Sequence, residues 1–203
     1  MSLPNISQYL PITVISAILL FVLKETIEFY KRRSAERRKI EAIKHLISIE
    51  LQLNYWAVIT IFRIFGEINK YLLSFPQAQF WLYTLPSGAE SVRCSKDSDR
   101  ECYISYSIPF IVDKQYKTLF LTIAELDEKL LRLLEKAYDE LAELNHLRSS
   151  LIDYLKDDKN DKHHFFKSFI EYAMEHEKPC NETLKAAYHN CAGKELQEAK
   201  LRW

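Results

Sequence analysis

Glycine and proline are scarce in this chain, with three Gly and six Pro among 203 residues. That is too few turn formers for a many-stranded sandwich or a glycine-rich phosphate cradle, and long helices are what remain. Net charge is missing as well: 28 Lys+Arg balance 28 Asp+Glu. Nothing in that balance asks for a polyanionic partner, so no direct nucleic-acid binding is expected. The four cysteines lack the two-residue spacing of a zinc knuckle or redox pair, whether taken as Cys94/Cys102 or Cys180/Cys191. His176, Cys180, His189 and Cys191 are metal-ligand types gathered around Pro179, but His189 and Cys191 are two apart on one helix and point to different faces. No Gly-x-Ser-x-Gly, Walker or His-Glu-x-x-His motif is present. The expectation is therefore no cofactor, no metal and no enzyme. An apolar fraction of 48% excludes disorder and, at this length, supplies a core.

What the chain does have is a segment without charge. Residues 1–23 contain no Lys, Arg, Asp or Glu. Residues 9–23 are apolar apart from Thr13 and Ser16, whose hydroxyls can bond back to the helix carbonyls. Extension to Ile6 gives about 18 residues, just enough for a bilayer-spanning helix. A signal peptide would need a basic start, which is absent. The sequence thus predicts a transmembrane anchor over residues 1–30, with Tyr9, Ile12, Ile15, Ile18, Leu19, Phe21, Val22 and Leu23 in lipid. Lys31, Arg32, Arg33, Arg37 and Arg38 follow, with nothing basic before Lys24. The positive-inside rule then gives a single-pass inner-membrane protein, N-terminus outside and C-terminal domain cytoplasmic. Glu25, Glu28, Glu36 and Glu41 interleave with the bases at helical spacing, which fits a juxtamembrane stop better than a nucleic-acid patch.

Residues 31–203 read as a cytoplasmic helical domain with an insertion at about 76–116. Neither Pro nor Gly occurs between Pro11 and Gly66, so one helix can run from Ile12 to about Phe75. Leu46, Ile49, Leu53, Trp56 and Ile59 recur along it at three and four, and residues 55–65 are apolar nearly all round. Pro76 closes it. The aromatic run 80–84 and the alternation of Ile104, Tyr106 and Ile108 suggest a small hairpin around the polar loop 86–101. A second long helix, starting between Asp113 and Thr122, carries Ile123, Leu130, Ala137, Leu144 and Leu151 in one row. Leu126, Leu133, Leu147 and Tyr154 form the other row, and Leu134, Leu141 and Leu155 broaden the face into that of a bundle helix. Residues 157–161 form a charged linker, and a third helix with Phe166, Phe169, Ile170 and Ala173 on one face is closed by Pro179. Asn181 caps a last helix reaching about Leu201. The fold class is all-α: a single transmembrane helix, then a helical bundle with a small irregular or β-hairpin insertion. Trp56, Ile59, Phe62, Phe65, Leu130, Leu133 and Leu144 are the expected bundle or oligomer interface.

Two functional readings follow. Arg38, six residues and His45 resemble the Arg-x(4 to 6)-His active-site motif of HEPN ribonucleases, helical enzymes that pair two such motifs across a dimer. The resemblance implies a membrane-tethered ribonuclease with Arg38 and His45 as catalytic residues. The reading that uses more of the sequence is association: a homo-oligomer at the lipid bilayer, or an adaptor for a cytoplasmic protein partner. Its layout is similar to that of small membrane effectors and accessory proteins of bacterial defence systems, which implies membrane perturbation by an assembled ring.

Overall fold

The computed structural model describes residues 11–75, 77–96, 103–156 and 163–197. Five helices and three strands follow one another as α1 (Ile12–Ser74), β1 (Gln79–Thr84), β2 (Glu90–Ser95), β3 (Ile104–Ser107), α2 (Lys114–Leu126), α3 (Glu128–Lys156), α4 (His163–Glu175) and α5 (Glu177–Ala192). The chain divides into two compact units, Met1–Ile43 and Lys44–Trp203, with the boundary inside α1.

The transmembrane expectation is corrected. No helix among the described residues is long and apolar enough to cross a membrane. From Ile12 to Leu23 the uncharged part of α1 has only twelve residues, about 18 Å of helix against a hydrocarbon core of about 30 Å. A window of about 18 residues from Ile12 takes in Lys24, Glu25 and Glu28. Residues 6–10 of the expected span, Tyr9 included, lie outside the described residues. The inner-membrane, single-pass localisation falls with the span, because the basic run 31–38 orients a chain only beside a membrane-crossing segment.

In the second unit, α1 and α3 run side by side in the same direction. Lys44 pairs with Asp127 at 4.0 Å, Glu50 meets Tyr138 at 2.6 Å, and Phe65 reaches Tyr154 through the Phe169 ring. The core lies between them. Ile47, Leu51, Val58, Phe65 and Ile68 of α1 are buried, as are Leu130, Leu134, Ala137, Leu141, Leu144 and Leu151 of α3. Cys180, Leu184, Ala187 and Tyr188 of α5, which packs closely on α3, complete it. Residues 55–65 are apolar nearly all round because the fold surrounds them: only Trp56 and Arg63 of that stretch are exposed.

The insertion is a three-stranded antiparallel sheet in the order β1-β2-β3, not a hairpin. Its middle strand was hidden in the polar run 86–101. Val92 and Cys94 enter the core from one face of residues 90–95, while Arg93 takes the other face between the buried Ser91 and Ser95. Phe80 carries the inner face of the sheet onto Tyr71 of α1 and Phe166 of α4.

Three helix boundaries also moved. Asp127 breaks the second long helix into α2 and α3: its N–H donates to Ile123 O at 2.8 Å and its Oδ1 accepts from Leu130 N at 3.0 Å. It thus ends one helix and caps the next. Pro179, expected to close α4, sits in the first turn of α5, where the N–H it lacks would have no helical partner. The last helix stops at Ala192 because Gly193 turns to φ 66° and donates its N–H to His189 O. Pro76, the linker 157–161, residues 198–203 and the side chains of His163 and His164 lie outside the described residues.

Candidate functional site

Unpartnered apolar surface is concentrated at the start of α1. Of the twenty-four exposed large hydrophobic side chains among the described residues, eleven fall between Ile12 and Tyr30, which makes this segment the first candidate for contact with another molecule. Leu19, Leu20 and Phe21 are 65%, 67% and 63% exposed, and Ile12, Ile18, Val22 and Leu23 are also exposed, while Ile15 is half-buried. Ser16 Oγ donates to Ile12 O at 2.9 Å, so its one polar group adds no demand for solvent. Thr13, Val14, Ala17, Ile18 and Phe21 line a shallow depression in which two small side chains stand beside a large one. Beyond it, Glu28 lies near both Lys24 (4.0 Å) and Arg32 (3.7 Å), exposed i,i+4 pairs of little energetic weight. Lys31, Arg33, Arg37 and Arg38 are exposed.

Within the second unit the polar side chains at depth organise the fold. Glu50 is buried and accepts three hydrogen bonds, from Gln115 N (2.6 Å), Tyr116 N (3.1 Å) and the Tyr138 hydroxyl (2.6 Å). The two amides belong to the first turn of α2, so a carboxylate on α1 supplies the acceptor and the negative charge that helix start needs. One turn on, Asn54 pairs with the Val112 backbone in both directions, Nδ2 to O at 2.6 Å and N to Oδ1 at 2.8 Å. Tyr116 and Tyr138 stack 4.0 Å apart, and burial raises both phenols, Tyr116 to about 12. Arg148 of α3, buried, pairs with Glu90 of β2 at 2.7 Å and donates from Nε to Pro109 O at 2.9 Å. These groups consume one another's hydrogen bonds and leave nothing aimed at a ligand.

The thiols are equally quiet. Burial pushes Cys94 and Cys180 up to about 12 and Cys191 to about 11, so all three stay protonated at neutral pH and are poor nucleophiles. Cys102 lies outside the described residues. Among the described residues no group of three or more His, Cys, Asp or Glu is placed to hold a metal.

Arg38 falls in the first unit and His45 in the second, both exposed. Arg38 Nε lies 3.4 Å from Ser34 O, and the His45 carbonyl accepts from Ser48 Oγ at 2.7 Å. Of the expected interface residues, Phe62, Phe65, Leu130 and Leu144 are core, Ile59 and Leu133 are half-buried, and Trp56 is 42% exposed beside the exposed Leu46 and Ile49. The 3-4 periodicity of Leu46, Ile49, Leu53 and Trp56 marks a strip flanking the core, with the true core row one step away at Ile47, Leu51, Asn54 and Val58. The residues that organise the interior, Glu50, Asn54 and Arg148, were not foreseen. Their only sequence signal is a polar side chain within an apolar helical row, visible at Asn54 and Arg148. No protein-family model, curated protein or solved structure matches the chain.

Proposed function

We propose that the protein works by self-association, copies burying the start of α1 against one another. The observation that carries this is the helical segment from Ile12 to Leu23, apolar on nearly every side and exposed among the described residues. A helix with that pattern is stable in water only when something covers it. A second copy fits because the segment offers both parts of a helix–helix contact: the notch at Thr13 and Ala17 and the Phe21 ring beside it. Large side chains of one helix seat in the gaps over small ones of the next, with axes about 8–10 Å apart. The quiet thiols and the mutually satisfied pairs Glu50–Tyr138 and Arg148–Glu90 support association over bond chemistry.

Light scattering on the purified full chain tests it. The expected mass is a whole multiple of 24.0 kDa, and the double substitution Leu19→Glu/Leu23→Glu should return it toward a single copy with helix content intact. A wild-type chain already at one copy at tens of micromolar overturns the reading. So does a double variant that keeps the wild-type mass.

A further inference from the structure

The outer face of the sheet holds a cation with no counter-charge among the described residues. The strand register aligns Trp81, Arg93 and Ser105 in one row and Tyr83, Ser91 and Ser107 in the next. The Arg93 guanidinium carbon lies 3.4 Å from the centre of the Tyr83 ring and 4.3 Å from that of Tyr103. Two rings therefore clamp the guanidinium, and both tyrosines are exposed. Arg93 makes no ion pair among the described residues, in contrast to Arg148 with Glu90. Its Nε–H is buried without an acceptor. With the faces occupied and Nε enclosed, the terminal nitrogens are what remain for a partner, and that edge suits a carboxylate.

Next to this cation runs an open strand edge. β3 pairs with β2 on one side, and no backbone bond joins its other side to the described residues. Ile108 N donates to Glu90 O at 2.9 Å, which makes 90/108, 92/106 and 94/104 the hydrogen-bonded pairs of the ladder. Ser105 and Ser107 sit at the other positions, so their N–H and C=O groups point away from β2 toward the edge. Their side chains are small, and the large group bordering the row is the Tyr103 ring over Arg93. A residue on an added strand opposite Ser105 would stand two strand spacings, about 10 Å, from Arg93, a gap that a Glu and an Arg side chain bridge together.

We propose that β3 is a docking edge for an extended acidic segment of a partner protein. The partner adds a fourth strand through the backbone groups of Ser105 and Ser107, and Arg93 receives its carboxylate side chain in the row of Ser105. Backbone pairing supplies affinity and the clamped guanidinium supplies the charge selection. A peptide fits better than single-stranded nucleic acid because the outward N–H and C=O groups match a main chain, and the guanidinium faces that would stack on bases are already covered.

Fluorescence anisotropy on the full chain, with a labelled peptide of alternating Thr and Glu, is the test. The Glu peptide should bind at least tenfold more tightly than its Gln counterpart, and Arg93→Gln should abolish that difference. Ser105→Pro removes one outward N–H without touching the β2 ladder, so it should weaken the Glu peptide at least fivefold. A probe N-methylated at alternate residues should lose binding to the unmodified chain, which tests strand addition even if the proline variant misfolds. Equal affinity for Glu and Gln peptides overturns the proposal, as does full binding of the N-methylated probe. An oligothymidylate that outcompetes the Glu peptide with the same dependence on Arg93 overturns it in favour of nucleic acid.

Discussion

Single side chains decide more here than their number suggests. Glu50 is 2% exposed and accepts two amide bonds and one phenolic bond. Glu50→Ala strands all three donors, so the expected loss is about 3 kcal/mol, read as a lower urea midpoint with helix content lost from α2. Asn54→Ala should cost about 2 kcal/mol, because Val112 N and O are then both unpaired. The thiols give a pH dependence of known sign. Cys94 and Cys180 are raised by burial from 9.0 to about 12, so the unfolded chain ionises first. Their contribution is whole below the unfolded thiol range and is lost as pH rises through it toward the folded values. The urea midpoint should therefore fall between about pH 8.5 and 10.5. At pH 8, mass-spectrometric mapping after a brief thiol-reagent pulse should find Cys94 and Cys180 unmodified in the native chain, and their rapid modification would contradict this. Neither thiol's burial is written in its neighbours. Cys94 lies in the polar stretch ESVRCS and becomes inert only because β2 turns it inward.

At the scale of elements, the helices were legible and the sheet was half legible. The row at three and four placed the second long helix because a buried helical face needs that period, and Ile123, Leu130, Ala137, Leu144 and Leu151 are all buried, whereas the row read on α1 flanks the core, with Leu46, Ile49 and Trp56 exposed. The division at Asp127 was not legible, since the apolar row runs straight through it. What ends α2 there is a backbone at φ −154° together with the side-chain cap on Leu130. β2 was missed because sheets are built from pairing across the chain, and its partners at 79–84 and 104–107 lie up to sixteen residues away. Arg148 joins that sheet to α3 through Glu90 and Pro109. Its side chain is 8% exposed and that of Glu90 19%. Arg148→Met should then leave a poorly solvated carboxylate unpaired and cost about 3 kcal/mol or more. Arg148→Met/Glu90→Gln should recover part of it, and a double variant no better than the single one would show that the pair does not couple the sheet to α3.

For the whole molecule the open question is what covers its apolar surface. If copies associate through residues 12–23, the driving force is burial of uncharged surface. Raising salt from about 0.1 to 0.5 M, which shortens the screening length about twofold, should then leave the mass unchanged or increase it. A mass that falls with salt would instead point to the charged residues after Lys24. The sequence by itself determined the uncharged start, the helical character of most of the chain and the apolar row of α3, because each is a local property of composition and period. It also offered a span that the described helix is too short to make: hydropathy counts apolar residues, but crossing a bilayer needs length free of charge, and Lys24, Glu25 and Glu28 arrive too soon. Only the tertiary structure decided which polar groups are buried and satisfied, that Glu50 serves a helix sixty-five residues away, and that Arg93 is clamped beside an open strand edge. Those are contacts between distant parts of the chain, and no local pattern encodes them.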